Sequence, residues 1–425
     1  MTLIKNFESL NKTPERKICL ELIETALASI QPQSIIAKNF SLNGSLLTIQ
    51  DKTIDLTRFE RIFLLGFGKG SAGLSKYIES MLSNLLTEGY AIDVRPEQFS
   101  KIQLTIGTHP LPSEANLSFT KRVLERLGNL TEKDLVLVVI TGGGSVLFED
   151  PYRVDLEKLI EINKSLLFSG TTITDMNIVR KHLSWVKGGG LIKPLFPARV
   201  VSVIASDVPG NDLSVIASGP TVKDDTIKEQ AVEVLKKYNL FEKLGLSEED
   251  FIETPKENKY FENATNILLV DNQTALSAMK EKAKELGFDA KIYTDRLQAD
   301  AKTVGKELVG KISSGILLAG GETTVKVLNK GGQGGRNQEV VLAALASVDE
   351  KTTIASFDSD GWDNSLFAGA IGDSLTIKKA KEISINPEVF LQENNSFLFF
   401  EKTGDGIITD RLPSNVSDLM IVLKK

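Results

Sequence analysis

The chain has 425 residues, 41% hydrophobic and 25% charged, enough for two or three domains with substantial cores. Its net charge of -6 lacks the basic footprint that nucleic acid or an anionic membrane calls for. With two histidines and one cysteine, Cys19, it excludes His-rich zinc sites, HExxH chemistry and an intrachain disulfide. Any catalytic metal is then oxygen-bound. No apolar run approaches the roughly 20 residues of a membrane-spanning helix. The opening MTLIKNFESLNKTPERK lacks the apolar core of a signal peptide, so a cytoplasmic protein with neither nucleic acid nor membrane as partner is expected.

Runs rich in Val, Ile and Leu at 61–67, 102–106, 134–140 and 199–205 read as buried parallel strands. Helical patterns lie between them at 74–86, 118–127, 155–168 and 174–186. The alternation predicts a doubly wound, mostly parallel-sheet α/β domain over residues 1–255. From about 221 to 262 the chain turns charged and reads as a solvated connector. Strands at 266–270, 290–293, 315–318, 323–328, 352–357 and 418–423, with helices at 273–286, 300–312 and 337–346, predict a second α/β domain with a mixed sheet over 256–425. The last strand is free to return to the first domain.

The chemistry gathers in loops. GFGKGSAG, residues 66–73, carries Gly68, Gly70 and Ser71 around Lys69 between a strand and a helix, where glycine-exposed amides and a lysine suit phosphate or carboxylate. It also satisfies GxGxxG, which admits a dinucleotide site, but that reading wants an acidic residue about 20 positions on, at the end of the second strand. The next clear strand ends at Gly107, Thr108 and His109, without one. Thr141, Gly142, Gly143, Gly144 and Ser145 again follow a buried strand and offer open amides, without the GxxxxGK[ST] of a Walker A loop. A structural glycine turn is the plain alternative for each loop.

NIVRKHLSWVKGGGL, residues 177–191, sets Arg180, Lys181, Ser184 and Lys187 at helical spacings before a glycine stop. Such residues are more often a solvated cationic face than a site, although Lys187 beside three glycines weakens that view. SDVPGNDLSVIASGPT, residues 206–221, directly follows a strand and bears Asp207, Asn211, Asp212, Ser214 and Ser218, the layout of an α/β active-site edge. Further on, Glu322 follows a strand and GGQGGRNQE, 331–339, presents Arg336 and Asn337, a donor fork for carboxylate or phosphate. FDSDGWD, 357–363, clusters Asp358, Asp360 and Asp363, either magnesium ligands or a plain acidic turn.

GKGSAG, THPLPSEAN, TGGGS, NIVRKHLSWVKGGGL, SDVPGNDLSVIASGPT, GGETTV and GGRNQE occur in that order. Together they resemble the class II glycerate 2-kinase family, whose carboxy-terminal part is the MOFRL domain. The resemblance implies ATP-dependent phosphorylation of D-glycerate at its 2-hydroxyl in a cleft between two α/β domains, by a monomer or homodimer. It also implies a catalytic group of Lys69, Asp207 and Arg336. The remaining loop residues, Gly68, Gly70, Ser71, Thr141 to Ser145, Arg180, Lys187, Asn211, Asp212, Ser218, Glu322 and Asn337, are then expected to bind substrate or nucleotide, and Asp358 and Asp360 to hold Mg2+.

The chain departs from the family toward its carboxy end, where FDSDGWDNSLFAGAIGD and KTGDGIITDRLPSNVSDL replace stretches resembling TDGxDGPTDAAGA and TGPTGTN. The GPT turns are lost, which leaves a related hydroxy acid open as acceptor. A nicotinamide-dependent hydroxypyruvate reductase is the alternative enzyme class, and a non-catalytic nucleotide or anion sensor the third reading.

Overall fold

The computed structural model describes residues 2–329 and 331–425, which divide into two compact units. The parallel unit comprises Ile36–Ser206 and Asn211–Leu269; the mixed unit comprises the residues up to Ile35, Asp207–Gly210 and Val270–Lys425. This differs from a linear division at 255/256: the amino-terminal residues up to Ile35 and Asp207–Gly210 join the mixed unit, and the boundary falls between Leu269 and Val270.

In the parallel unit, β1 (Phe40–Asn43), β2 (Leu46–Ile49) and β3 (Lys52–Asp55) form a small antiparallel sheet. Then come β4 (Arg61–Phe67), β5 (Glu88–Asp93), β6 (Ile102–Ile106), β7 (Asp134–Ile140), β8 (Arg199–Ala205) and β9 (Ala264–Val270), in the order β6-β5-β4-β7-β8-β9. The pairings from β6 through β8 are parallel. Every residue of β7 is buried, as a strand covered on both faces must be. The expected strands at 61–67, 102–106, 134–140 and 199–205 are all present, and β5 joins them.

The charged stretch 221–262 is not a solvated connector. Its helix Lys228–Lys237 and the turns beyond bury Ala231, Leu235, Leu240, Leu244 and Phe251 against Ile162, Leu166, Val179 and Leu183 of the helices Leu156–Phe168 and Ile173–His182. Lysines and glutamates on its outer face disguise an amphipathic helix as a linker.

The mixed unit holds β10 (Ala290–Leu297), β11 (Gly315–Gly321), β12 (Thr352–Asp358), β13 (Gly369–Gly372), β14 (Gly406–Ile407) and β15 (Asp418–Lys424), in the order β10-β11-β15-β12-β13-β14. Only β10 and β11 run parallel. The last strand does not return to the first domain; it lies between β11 and β12 and is buried along almost its whole length. The expected strand 323–328 is absent apart from an isolated bridge between Thr324 and Asp300. β10 and β15 already flank β11, so the segment that follows β11 cannot pair beside it, and Val327 and Leu328 are exposed.

Instead of the last strand crossing over, the first helix does so. Helix Pro14–Ser29 belongs to the mixed unit, where it packs on helix Asn272–Glu285 and on β12 and β15 through an apolar face that includes Cys19, Leu20, Ile23 and Leu27. Its anchor is Arg16, fully buried. The Nε and one terminal nitrogen grip the two oxygens of Asp373 at 2.7 Å each, and the other terminal nitrogen meets Asp405 at 2.6 Å. Thr376 donates to Asp405 and accepts from Arg16, so each side-chain oxygen and nitrogen in the group is engaged.

Removing one partner of such a group strands the others without water. Arg16→Met is therefore expected to destabilise the mixed unit by about 3–5 kcal/mol. Urea unfolding followed by far-UV circular dichroism checks this; a midpoint unchanged from the parent would contradict the anchoring role.

Candidate functional site

The strand order of the parallel unit reverses direction between β4 and β7, and ligands of doubly wound sheets bind at such a switch point, outside the carboxyl ends of the strands. The loops there are the two glycine loops. They form one structure: the Lys69 N–H donates to Gly142 O at 2.8 Å, and Thr141 N–H to Phe67 O at 3.1 Å. Gly68, at φ +115°, lies so close to Thr141 that a Cβ would strike its hydroxyl and carbonyl, so no other residue fits there.

An internal carboxylate already fills the amino end of helix Ser71–Leu82. Asp93, the last residue of β5 and 1% exposed, accepts from Ala72 N–H at 3.0 Å and Val94 N–H at 2.6 Å, and also from the Gly70 backbone. Burial pushes its carboxyl upward while these amides oppose the shift. This corrects two expectations. An acidic residue does end the second strand, but it binds the loop's own amides instead of a ribose; and part of the helix terminus is closed to an external anion.

His109, absent from the expected set, stands beside Lys69. A Cβ built on Gly143 would lie 3.0 Å from His109 Cδ2, 3.1 Å from Nε2 and 3.4 Å from Lys69 Cγ, so imidazole and lysine flank the same glycine. The signal for this residue was the THPLPSEAN motif, which carried the resemblance but no assigned role.

Several expected binding residues serve the framework. Ser71 Oγ donates inward to Ile92 O, and Ser218 Oγ to Asn177 Oδ1 at 2.9 Å, both hydroxyl-bearing residues being buried. Lys187 is 1% exposed and paired with Glu149, which also accepts from Ser184 at 2.6 Å. Arg180 Nε donates to Asn163 Oδ1 at 2.7 Å, and burial lowers its pKa against the pull of Glu149. Asp212 caps the turn at Ser214 N–H. Ala217, Ser218 and Gly219 run consecutively through left-handed conformations, backbone strain held within this loop.

In the mixed unit the ladder registers set Asp358 opposite Asp418 and Gly321 opposite Asp418. Glu322, Asp418 and Asp358 therefore cluster at one end of three neighbouring strands, and Arg336 reaches into them. Its guanidinium lies 2.7 Å from Asp418, 2.5 Å from Glu322 and 3.5 Å from Asp358. Burial opposes the charge on Arg336, but the three carboxylates hold it well above its ordinary value. Asn337 is fully buried and donates to Asp418 at 2.7 Å, so it too is framework. Asp207 belongs to this unit; its carbonyl accepts from Ser417 Oγ at 2.9 Å, next to Asp418 in sequence.

The acidic turn does not fit a resident magnesium centre. Asp363 spends its carboxylate on Asn337 and Gln338 at the amino end of helix Arg336–Ala344. Asp358 accepts from Asp360 N–H at 3.0 Å and faces Arg336, while Asp360 accepts from Trp362 N–H. Among the described residues no three carboxylate, histidine or cysteine groups gather to hold an ion.

Burial raises the Asp418 pKa to about 7, with Arg336 pulling against it. Between the ordinary carboxylate value of about 4 and this raised value, the folded chain holds a proton that the unfolded chain releases. The contribution to stability is full at the acid end and is lost as pH rises to about 7. Urea unfolding across this window is expected to show a shallower decline for Asp418→Asn than for the parent; equal slopes would contradict the raised value.

Residues 18–252 match the family described as a domain of unknown function, DUF4147, and residues 315–418 match the MOFRL family. The chain is 34% identical over 432 residues to a protein of Pyrococcus horikoshii named glycerate 2-kinase, covering 96% of this chain and 97% of that one. A crystal structure of glycerate kinase from Thermotoga maritima matches with a TM-score of 0.85 at 32% identity, over 96% of this chain and 99% of its own. A protein of Agrobacterium vitis, 30% identical over 97% of this chain and 95% of its own, carries the provisional name hydroxypyruvate reductase. Among the described residues no helix is long and apolar enough to cross a membrane. With relatives matched across nearly its whole length and both parts in the expected order, the chain belongs to the class II glycerate 2-kinase family, the family of the MOFRL domain.

Proposed function

We propose that the protein phosphorylates D-glycerate at its 2-hydroxyl with ATP, giving 2-phosphoglycerate and ADP. The observation that carries this reading is the near full-length likeness to proteins named glycerate 2-kinase. The chemistry of the two loop sets supports it. Phosphoryl transfer asks a protein mainly for alignment and for positive charge at the transferring group. Lys69 and Arg336 supply that charge.

In the proposed reaction the 2-hydroxyl oxygen attacks the γ-phosphorus. The new O–P bond forms as the bond to the bridging oxygen of ADP breaks, and ADP leaves with the electron pair. Asp207 orients the hydroxyl and takes its proton. Thr141, Gly142, Gly143, Gly144 and Ser145 line the phosphate side, with Asn211 and Asp212 near the acceptor. Magnesium enters as part of the nucleotide substrate, where it adds charge neutralisation on the phosphate oxygens. Arg336 reaches a phosphoryl group once Glu322, the most exposed of its three carboxylate partners, gives way. A cytoplasmic setting accords with a single, buried cysteine, Cys19.

The reductase reading draws on the name of the Agrobacterium vitis relative and on the strand order of the parallel sheet. It is weakened because Asp93, the acid at the position a ribose would need, is buried and bonded to the loop.

Incubation with ATP, magnesium and D-glycerate, following ADP and the phosphoglycerate isomer, tests the proposal; NADH oxidation by hydroxypyruvate tests its rival. Glycerate-dependent ADP formation is expected. Arg336→Ala should lower kcat by roughly 10³ to 10⁵, and Lys69→Ala by about 10² to 10³, as for a lost oxyanion donor. Folded protein forming no ADP across a panel of hydroxy acids would refute the reading, and variants as active as the parent would refute these residue roles.

A further inference from the structure

His109 is held in place more firmly than a loop residue needs to be. It follows β6 within the segment 107–110, whose position is fixed by Asn116 in helix Glu114–Arg126. Asn116 is fully buried; its amide donates to Thr108 O and to Val146 O at 3.0 Å each, and its carbonyl accepts from Thr108 N–H at 3.0 Å. One side chain thus clamps the residue before His109 to the segment that continues the second glycine loop. His109 and Asn116 come from the same THPLPSEAN motif.

The clamp has a consequence for the imidazole. His109 keeps part of its surface open to solvent while the loops around it bury the rest, and no hydrogen bond to its ring nitrogens is found among the described residues. The chain's other histidine, His182, is fully buried, with one ring nitrogen 2.8 Å from Ile252 O and the other 3.1 Å from Thr226 Oγ1. Two imidazoles in one unit are thus used in opposite ways. His182 is spent on the framework, whereas His109 is positioned, accessible and left with its nitrogens available beside Lys69 and Gly143 at the switch point of the sheet.

We propose that His109 is a ligand-contacting residue whose imidazole N–H donates a hydrogen bond to the anionic oxygen that Lys69 neutralises. This rests on the kinase reading for the identity of that oxygen: a phosphate of ATP or the carboxylate of D-glycerate. The electrostatics agree with a neutral donor. Crowding by the surrounding loops, and then the charge of Lys69, push the His109 pKa down to about 4, and Lys69 is the charged group that bears on it. A neutral imidazole adds a directed donor without a second full charge beside the lysine, and its function stays constant across pH 5.5 to 8, roughly where an unperturbed histidine would switch.

The chain has two histidines, so selective ¹⁵N labelling of the full-length protein gives two ring systems, assigned with His109→Gln. Addition of ATP and, separately, of D-glycerate is expected to move the His109 nitrogens with at least one of them and to leave those of His182 in place. In the kinase assay, His109→Phe should raise KM for that same substrate by roughly tenfold to a hundredfold, the worth of a hydrogen bond to a charged group. His109→Gln, which keeps an N–H donor, should recover part of the loss.

Ring signals unmoved by either ligand would overturn the proposal, as would unchanged kinetics in His109→Phe. A response to ATP in a protein that forms no ADP would leave the His109 contact standing and remove the kinase reading. Glycerate-dependent ADP formation with an unmoved His109 would do the reverse.

Discussion

A buried carboxylate bonded to backbone amides at the amino end of a helix is the constraint on which both glycine loops depend. Asp93 holds the Gly70 and Ala72 amides of the first loop, and Asp363 holds the Asn337 and Gln338 amides at the start of helix Arg336–Ala344. Both helix ends would otherwise leave N–H groups in poorly solvated surroundings. The loops are therefore satisfied from inside the fold. Their glycines permit close approach of backbone to backbone, as Gly68 does to Thr141, and Gly335 to Asp363. The cationic side chains beside these helix ends are Lys69 in one unit and Arg336 in the other.

The two cations have different neighbours. Lys69 adjoins a glycine and an imidazole whose own protonation it disfavours. Arg336 is surrounded by Glu322, Asp358 and Asp418, and two of those acids are in turn driven toward the neutral form, by burial first and by mutual repulsion as well. Carboxyl groups already occupy the guanidinium's donors, so an arriving anion has to displace one of them as well as bind a cation. Glu322 is the partner able to yield, because its side chain is 46% exposed while those of Asp418 and Asp358 are 0% and 10% exposed. Burial thus grades the three acids into two fixed ones and one exchangeable one.

The continuous apolar strands were legible because a strand covered on both faces has no polar alternation to blur it. β4, β7, β8, β11, β12 and β15 were found for this reason. β5 was missed because Glu88, Gly89 and Asp93 punctuate a short run, although its middle is as buried as its neighbours. The segment 323–328 alternates like a strand but cannot pair beside β11, because β15, returning from almost the end of the chain, occupies that place. Likewise nothing local announces that helix Pro14–Ser29 pairs Arg16 with Asp373 and Asp405. For the candidate site, the family resemblance singled out Lys69, Asp207 and Arg336. It failed to separate Ser71, Ser218, Lys187 and Asn337, whose polar atoms face inward, because direction is set by packing that a motif does not encode.

The segment after β8 gains meaning from this division. Ser206 belongs to the parallel unit, Asp207–Gly210 to the mixed unit, and Asn211 onward to the parallel unit again. The return is made through Gly210 at φ +87° and Asn211 at φ +58°, two residue types that tolerate the left-handed region. Three more left-handed residues, Ala217 to Gly219, follow, with Gly188 N–H bonded to Ser218 O and Gly189 N–H to Gly219 O. Ala217 carries a Cβ into that region at a cost of order 1–3 kcal/mol. The turn is held by those two glycine amides and by Ser218 Oγ, which donates to Asn177. Lys187, which the sequence suggested as a ligand contact, is instead buried against Glu149, a carboxylate that Ser184 also engages, immediately before the glycines that bind this turn.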